Sequence, residues 1–332
     1  MIKAIRYSQF GKAHEVAELI ELPDPGIPGE GEALIDVEAS PINPADLLQF
    51  EGKYGAVPPP LPVMAGGEGI GIVRAVGAGV SHLKSGDRVL LLFAGRGNWR
   101  SSLIAKTARL FALPAGVDPL QLAMLTVNPP TAMLMLQNFT ALKAGDWVIQ
   151  NAANSGVGHS VIALAKRRGL RSINVVRRTE LAAELQALGA DSVLVDGPDL
   201  PARVKALTGN DALPKLAIDA VAGDATGRLA QSLAEGGVVV NYGMLSGQPC
   251  AMPPGDVVFR DISLRGFWLA RWFATAGPDE MRNVYGELTR LIADGTIHVA
   301  VEATYPLERI RDALAHAARE GRRGKILITP GR

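Results

Sequence analysis

The spacing of hydrophobic and polar positions changes near residue 120. Residues 1 to 115 carry short alternating runs, such as Ala-Leu-Ile-Asp-Val-Glu-Ala at 33–39 and the run at 69–76, which are separated by proline and glycine. Such runs are typical of strands in a compact antiparallel β domain with irregular loops. From about residue 119 to residue 268, apolar runs of strand length alternate with amphipathic runs of helix length. This alternation predicts a doubly wound parallel sheet.

The alternating region and the segment after it predict the following elements. The predicted strands are Trp147–Ala152, Arg171–Val176, Ser192–Val195, Leu216–Ala220, Val238–Tyr242 and Ser263–Trp268, and a last strand is Lys325–Thr329. The predicted helices are His159–Arg168, Glu180–Leu188, Ala202–Leu207, Thr226–Leu233 and Asp279–Ile292. We therefore expect an α/β protein with two domains. A β-rich domain would comprise residues 1–120 and 270–332, and a doubly wound domain would comprise residues 121–269.

The turn after the first predicted strand of the doubly wound domain contains Gly156 and Gly158. A strand, a glycine turn, a helix and a second strand form the unit that binds a dinucleotide pyrophosphate at a helix N-terminus. The first glycine of the G-x-G-x-x-G pattern is missing, so the evidence comes from the placement between two strands. The predicted contacts to the pyrophosphate are Asn154, Ser155, Gly156, Val157 and Gly158.

Two arginines, Arg177 and Arg178, follow the second strand of this unit. An Asp or Glu at this distance from the glycines would bind a ribose 2′-hydroxyl and would repel a 2′-phosphate. Guanidinium groups can instead pair with a 2′-phosphate through charge-assisted hydrogen bonds. The pair therefore predicts NADPH rather than NADH as the cofactor. The alternative is that both arginines are ordinary surface residues of a loop.

Composition agrees with a globular enzyme. The chain has 332 residues, of which 48% are hydrophobic and 20% charged, with a net charge of +1. This charge gives no reason to expect nucleic acid or an anionic membrane as a partner, and no apolar stretch has the length of a membrane span. Cys250 is the only cysteine and the first residues show no signal pattern. A reducing compartment, by default the cytoplasm, is therefore expected.

Six short strings resemble one family. They are INPADLLQFEGKYG (42–55), GNWR (97–100), NPPTA (128–132), IQNAANSGVG (149–158), INVVR (173–177) and LRGFWL (264–269). In this order they are similar to the medium-chain dehydrogenase/reductase superfamily over essentially the whole chain. Within it they resemble the mitochondrial-type trans-2-enoyl thioester reductases. Quinone oxidoreductases share the N-x-x-D and G-x-Y-G elements. The resemblance implies a GroES-like β-rich catalytic domain and a Rossmann domain.

The resemblance also implies roles for individual residues. It places Tyr54 in the catalytic pocket, as a hydrogen-bond donor or proton source for the enolate that hydride addition creates. It places Asn43 and Asp46 in the same loop, as further catalytic residues. The alternative for Tyr54 is a loop aromatic that packs on the domain. Further cofactor or substrate contacts are expected at Asn128, Thr131, Tyr242, Gly243, Met244, Phe267 and Trp268.

These further contacts have simpler alternatives. Asn128 can cap the helix that follows it, as asparagine often does. Phe267 and Trp268 can belong to an ordinary core. Tyr242 to Met244 follow a strand of the sheet at its carboxyl end, where open α/β sheets bind ligands.

The residues that bind zinc in the alcohol dehydrogenases of this superfamily have no counterpart in the sequence. The segment Ile42–Asp46 lacks the cysteine, Gly67 occupies the place of the histidine, and the five histidines are scattered singly. Zinc needs thiolate and imidazole ligands at about 2 Å. We therefore expect a zinc-independent reaction and no metal site.

Three functions remain open from the sequence. The first is NADPH-dependent reduction of a trans-2-enoyl thioester. The acyl group of this substrate would be carried either by the small molecule coenzyme A or by an acyl carrier protein. The second is reduction of a quinone or a small enone, and the third is NADPH binding without catalysis. The third function is disfavoured because the chain carries the glycine turn, Arg177 and Tyr54 together. The apolar sixth strand, Ser263 to Leu269, would be an exposed sheet edge, so we expect a homodimer formed through the Rossmann domains.

Overall fold

The computed structural model describes residues 1–55, 57–92 and 97–331. They form two compact units, one made of Met1–Val127 and Thr289–Arg332 and the other of Asn128–Leu288. Within the described ranges, none of the helices has both the length and the apolar character needed to cross a membrane.

The first unit begins with a β-rich part. Its strands are β1 (Ile2–Tyr7), β2 (Glu18–Leu22), β3 (Glu32–Pro41), β4 (Val63–Met64), β5 (Ile70–Val76), β6 (Arg88–Leu91), β7 (Ser102–Lys106) and β8 (Leu110–Ala112). Its helices are α1 (Ala13–Val16), α2 (Pro44–Phe50) and α3 (Pro119–Ala123).

The second unit alternates helices and strands. Its strands are β9 (Trp147–Gln150), β10 (Arg171–Val176), β11 (Ser192–Val195), β12 (Leu216–Asp219), β13 (Val238–Asn241) and β14 (Ser263–Gly266). Its helices are α4 (Asn128–Asn138), α5 (Gly156–Arg167), α6 (Ala182–Ala187), α7 (Leu200–Thr208), α8 (Asp224–Gln231), α9 (Pro254–Arg260), α10 (Leu269–Thr275) and most of α11 (Pro278–Ala293).

The chain then returns to the first unit. This part contains β15 (Val301–Tyr305), α12 (Ile310–Ala318) and β16 (Lys325–Ile328). Short 3₁₀ turns lie at Thr107–Arg109, Thr179–Leu181, Asn210–Ala212 and Leu307–Arg309.

The sheets of the first unit confirm the expected β-rich domain. One sheet has the order β2-β1-β4, and a larger one has the order β15-β16-β3-β5-β6-β8 with β7 also paired to β3. Most pairs are antiparallel, but β15 and β16 run parallel. Since β16 pairs with β3, the two strands after the second unit, β15 and β16, belong to the same sheet as β3, β5, β6, β7 and β8.

The sheet of the second unit has the order β11-β10-β9-β12-β13-β14, and all of its pairs are parallel. This is the strand order of a Rossmann fold, so the predicted doubly wound sheet is confirmed. The four central strands each contribute a side chain to one buried apolar cluster on this sheet: Ile149 of β9, Ile173 of β10, Ala217 of β12 and Val239 of β13. Burial on both faces explains why the strands read as continuous apolar runs.

Three of the predicted strands, β12, β13 and β16, end one residue earlier than expected, and two end two residues earlier. The first ends at Gln150, because Ala152 has a φ of 47°, which is incompatible with a strand. The sixth ends at Gly266, so Phe267 and Trp268 follow the strand instead of belonging to it. The helix expected at His159 begins earlier, at Gly156.

The expected domain borders, after residues 120 and 269, lie earlier in the chain than the borders of the compact units. The residues after 269 are held to one another and to α5. Trp272 Nε1 donates to Glu280 Oε1 at 2.7 Å, and Phe273 stacks on Tyr285 with 6.0 Å between the ring centroids. The Oε1 atom of Glu287 lies 3.9 Å from Nε of Arg167 in α5. These contacts explain why α10 and most of α11 cluster with the second unit.

Candidate active site

The glycines of the predicted cofactor turn lie in the first turn of α5, not in a loop before it. Ser155 is the N-cap, and its Oγ accepts a hydrogen bond from the Gly158 amide at 3.1 Å. Gly156 and Val157 are the first residues of the helix, so their amides have no partner within it. Such amides and the helix dipole favour an anion. The place is therefore suited to a pyrophosphate.

Glycine is required at two positions of this region by close backbone approach. A Cβ at Gly158 would lie 2.3 Å from the Ala153 carbonyl oxygen, inside the turn between β9 and α5. A Cβ at Gly243 would lie 2.7 Å from the Ala220 carbonyl oxygen. Both distances are far below van der Waals contact, so either substitution would displace the turns at the carboxyl edge of the sheet.

The two arginines that are predicted to bind a 2′-phosphate lie at the end of a strand of the second unit. Arg177 and Arg178 directly follow the buried strand β10, and both are exposed. In a Rossmann fold, this strand end is where the adenosine ribose is recognised. The exposed position leaves the guanidinium groups accessible to a phosphate, while the surface-loop alternative predicts the same exposure.

Tyr242 joins two of the predicted cofactor segments. It follows β13, and its side chain hydrogen-bonds with the Ser155 side chain at the start of α5. Burial of the hydroxyl raises the pKa of Tyr242 above its ordinary value, so the phenol stays protonated. Met244, two residues later, is exposed. This edge of the sheet therefore carries both polar and apolar groups for a ligand.

Four other predicted contacts divide into buried and accessible ones. Asn128 and Thr131 are buried in the first turn of α4. Asn128 is thus the first residue of the helix itself. Phe267 packs edge-on against Phe139, with 6.2 Å between the ring centroids. Trp268 is 46% exposed and forms the N-cap of α10, so it is not the core residue that the alternative described.

In the first unit, Asn43 and Asp46 form the start of α2 and do not lie in the loop that carries Tyr54. Asn43 is the N-cap, and its amide donates to Asp46 Oδ2 at 2.7 Å in a capping box. Asp46 Oδ1 accepts from the Gly67 amide at 3.2 Å. Both side chains are buried. They fix the helix that precedes Tyr54, whose side chain is half-buried.

Asn43 also connects two buried ionisable residues, Glu68 and Lys325. Its Nδ2 donates to Glu68 Oε1, and its Oδ1 accepts from Lys325 Nζ of β16. Glu68 Oε2 accepts from the Val127 amide at 3.1 Å. We call Asn43, Asp46, Glu68 and Lys325 the buried charge cluster.

Burial dominates the ionisation of this cluster. It raises the pKa of Asp46 to about 6 and that of Glu68 to about 7. It also lowers the pKa of Lys325, although both carboxylates oppose that change. Removing charges from water is costly unless they are paired, and two carboxyls share one ammonium here. The cluster can therefore change its proton content near neutral pH.

Glu68 and Lys325 were not among the residues predicted from the sequence. Glu68 directly follows Gly67 in the sequence, and Lys325 is the first residue of the last predicted strand. The two residues lie far apart in the chain, and they come together because β3 pairs both with β16 and with β5, which begins two residues after Glu68. An unusual charge at the start of an apolar strand was the one available signal.

The donor set does not fit zinc. Among the described residues, no group of three or more His, Cys, Asp or Glu side chains could hold a metal ion. The segments that the resemblance aligns with the zinc ligands are Ile42–Asp46 and Gly67, and the carboxyls of Asp46 and Glu68 there are held by amides and by Asn43. We derive no step through a metal.

Two protein-family descriptions match the chain. Residues 29–115 match the alcohol dehydrogenase GroES-like domain, and residues 156–290 match the zinc-binding dehydrogenase family. The second name refers to metal binding, for which this chain lacks the ligands described above.

Relatives and solved structures cover nearly the whole chain. The mitochondrial enoyl-[acyl-carrier-protein] reductase of Rattus norvegicus is 37% identical over 94% of this chain and 84% of its own length. The Escherichia coli quinone oxidoreductase complexed with NADPH has a TM-score of 0.88 at 28% identity, covering 99% of this chain and 100% of that one. The mitochondrial 2-enoyl thioester reductase heterodimer of Candida tropicalis has a TM-score of 0.86 at 26% identity, covering 99% of each chain.

Proposed function

Because this chain belongs to the medium-chain dehydrogenase/reductase superfamily, we propose that it is an NADPH-dependent, zinc-independent reductase of trans-2-enoyl thioesters. The observation that carries the substrate class is the whole-length similarity to the rat enoyl reductase. The cofactor follows from the helix N-terminus at Ser155, the two arginines after β10, and the NADPH bound by the E. coli neighbour.

The proposed reaction divides between the cofactor and the protein. NADPH, when bound, supplies a hydride to Cβ of the substrate. The electrons of the C=C bond then move onto the thioester oxygen, and a proton must reach Cα to complete the saturated thioester. Tyr54 donates a hydrogen bond or a proton to this charge, because a phenol has a pKa near 10 and is protonated at neutral pH. Asn43 and Asp46 hold the helix that leads to Tyr54.

The experiment that tests this proposal compares substrates directly. NADPH oxidation is measured with crotonyl-CoA, a longer enoyl-CoA and a benzoquinone, each with the same purified protein. We expect the enoyl thioesters to have the highest kcat/KM, and the matched acyl carrier protein thioester to be accepted as well. Rapid turnover of the quinone together with no turnover of any enoyl thioester would reject the assignment.

The second candidate function is reduction of a quinone or a small enone. The observation that favours it is the similarity of the fold to the E. coli quinone oxidoreductase over all of that chain. Hydride transfer would be the same, and a different pocket would select the substrate. Product analysis of the same parallel assay separates the two candidates.

We also propose that the protein is a homodimer joined along β14. This strand is the outer one of its sheet, and its residues are exposed. The preceding helix α9 exposes Val257, Val258 and Phe259, which is unusual for large apolar side chains. Pairing with a second copy would cover both. Light scattering at micromolar concentration should give the mass of a dimer. Leu264→Lys on β14 should shift the measured mass towards that of the monomer. A monomeric mass for the wild type would exclude the proposed homodimer.

The compartment is a proposal as well. A single cysteine is compatible with a reducing compartment such as the cytoplasm. The mitochondrial location in the names of the relatives offers the alternative. Imaging of the tagged protein in its own cell distinguishes the two.

A further inference from the structure

Asp219, the last residue of β12, is completely buried and surrounded by hydrogen-bond donors. Its Oδ1 accepts from Asn151 Nδ2 at 2.6 Å, from the Val221 amide at 2.9 Å and from the Ala222 amide at 3.1 Å. Its Oδ2 accepts from Thr226 Oγ1 at 2.6 Å and from Asn241 Nδ2 at 3.2 Å. A carboxylate accepts about four hydrogen bonds comfortably, so this one is fully used.

Four of the five donors lie at the ends of three neighbouring strands or in the turns after them, and the fifth, Thr226, belongs to α8. Asn151 follows β9 and leads into the glycine turn, and its Oδ1 accepts a hydrogen bond from the Ala220 amide at 2.7 Å. Val221 and Ala222 form the turn after β12. Asn241 ends β13, and its Nδ2 also donates to the Gly243 carbonyl at 2.9 Å. One side chain therefore connects all three turns.

Two of these turns contain alanines in a left-handed backbone conformation. Ala152 has a φ of 47° and Ala222 a φ of 64°. A residue with a Cβ adopts this conformation at an energetic cost, and it persists where the surroundings fix it. Asp219 binds the Ala222 amide directly, and it binds the side chain of Asn151, the residue before Ala152. Both unfavourable backbone conformations therefore lie at or next to residues that hydrogen-bond to Asp219.

We propose that Asp219 is a positioning residue that sets the three turns for the pyrophosphate and nicotinamide parts of NADPH. This inference rests on the proposed function for the identity of the cofactor. The predicted contacts Ser155–Gly158 and Tyr242–Met244 lie directly after the segments it holds. The arginines after β10 belong to a different strand end, and among the described residues none of the donors to Asp219 comes from there.

The need for a carboxylate follows from the partners, all of which donate. An asparagine in its place could keep the three bonds at Oδ1. Its amide nitrogen would then face the Asn241 amide nitrogen, and two donors cannot bond to each other. Asp219→Asn therefore removes the side-chain bond from Asn241 to Oδ2 with almost no change in side-chain volume, while Asn241 Nδ2 keeps its bonds to the backbone carbonyls of Asp219 and Gly243.

The test measures the affinity of two ligands for the wild type and for two isosteric variants. Calorimetry gives the Kd of NADPH and of adenosine 2′-monophosphate, which carries the 2′-phosphate but neither pyrophosphate nor nicotinamide. Asp219→Asn should raise the Kd of NADPH roughly tenfold or more, while the Kd of adenosine 2′-monophosphate should change by less than about twofold. The matched control is Asp256→Asn in α9, a buried carboxyl bonded to Arg260 that lies before β14 at the amino edge of the sheet. It should leave both ligands unchanged.

The outcomes separate a positioning role from general damage. Equal loss of both ligands, or equal loss of NADPH in the two variants, would overturn the proposal, because a structural carboxyl would predict either. If Asp219→Asn does not fold, Asn151→Ala removes one donor from the same network and should show the same division between the ligands. Failure of the wild type to reduce enoyl thioesters while it binds NADPH would reject the proposed substrate and leave this inference intact.

Discussion

Two buried acidic regions of the molecule accommodate charge in opposite ways. Asp219 in the second unit is surrounded by neutral donors from the backbone, from two asparagines and from one threonine. In the buried charge cluster of the first unit, two carboxyls share one ammonium, with Asn43 between Glu68 and Lys325. The first arrangement fixes geometry, since none of its partners changes charge near neutral pH. The second couples geometry to protonation, so we expect cofactor binding and catalysis to respond to different perturbations.

The largest effect is expected on the catalytic side, from Tyr54→Phe. If the hydroxyl stabilises the enolate or delivers the proton, kcat for enoyl thioesters should fall by roughly 10²-fold or more. The Kd of NADPH should stay near the wild-type value, and quinone reduction should suffer less because no carbon has to be protonated. Steady-state kinetics and NADPH titration measure these quantities.

A matched control for this substitution is Tyr305→Phe in the same unit. That hydroxyl hydrogen-bonds with His316 Nδ1 at 3.0 Å and belongs to β15. Its loss should leave kcat unchanged. Wild-type turnover by Tyr54→Phe would remove the main chemical support for enoyl reduction.

On the cofactor side, Arg177→Ala should change binding and not the chemical step. Loss of a charge-assisted bond to the 2′-phosphate should weaken NADPH by roughly 1–3 kcal/mol and leave NADH nearly unchanged. The control is Arg171→Ala at the other end of β10, where the guanidinium stacks over Trp147. Equal weakening of NADPH and NADH, measured by fluorescence titration, would mean that Arg177 has a structural role.

The buried charge cluster should make stability depend on pH. Glu68 has a pKa raised from 4.5 to about 7, so the folded chain keeps this proton longer than the unfolded chain. Its contribution to the free energy of unfolding is therefore greatest below pH 4.5 and is lost as the pH rises towards 7. The loss should be roughly 2 kcal/mol between pH 5 and 7.

Urea unfolding of Glu68→Gln at several pH values measures this dependence. The slope between pH 5 and 7 should become flatter than in the wild type, whatever the variant's overall stability. Glu18→Gln is the control: its partner Arg6 lowers the pKa of Glu18 below 4.5, so that carboxyl titrates outside the window. An unchanged slope in Glu68→Gln would show that Glu68 is ionised throughout.

The smallest effect is expected from metal removal. The segment around Asn43 and Gly67 lacks the ligands that zinc requires. Prolonged treatment with EDTA or phenanthroline should leave kcat unchanged, and metal analysis should find no stoichiometric zinc. A tightly bound zinc whose removal abolishes turnover would contradict the donor chemistry described above.

Much of the second unit could be predicted from the sequence, because its signals are local. Strands buried on both faces are continuous apolar runs, and β10 and β11 have the predicted bounds. The glycine turn and the arginines after β10 are also local, since neighbouring residues form the whole unit. The exact end of β9 was not predictable, because the left-handed conformation of Ala152 depends on contacts that the turn makes with neighbouring strands.

Only the tertiary structure decided how the polar residues are grouped. Lys325 meets Asn43 because β16 pairs with β3, and Asp219 meets Asn151 and Asn241 because β12 lies between β9 and β13. No spacing in the sequence encodes such meetings. Local periodicity determines which elements form, since it depends on neighbouring residues alone. The partners of a buried charge depend on strand order, which the chain settles only when it folds.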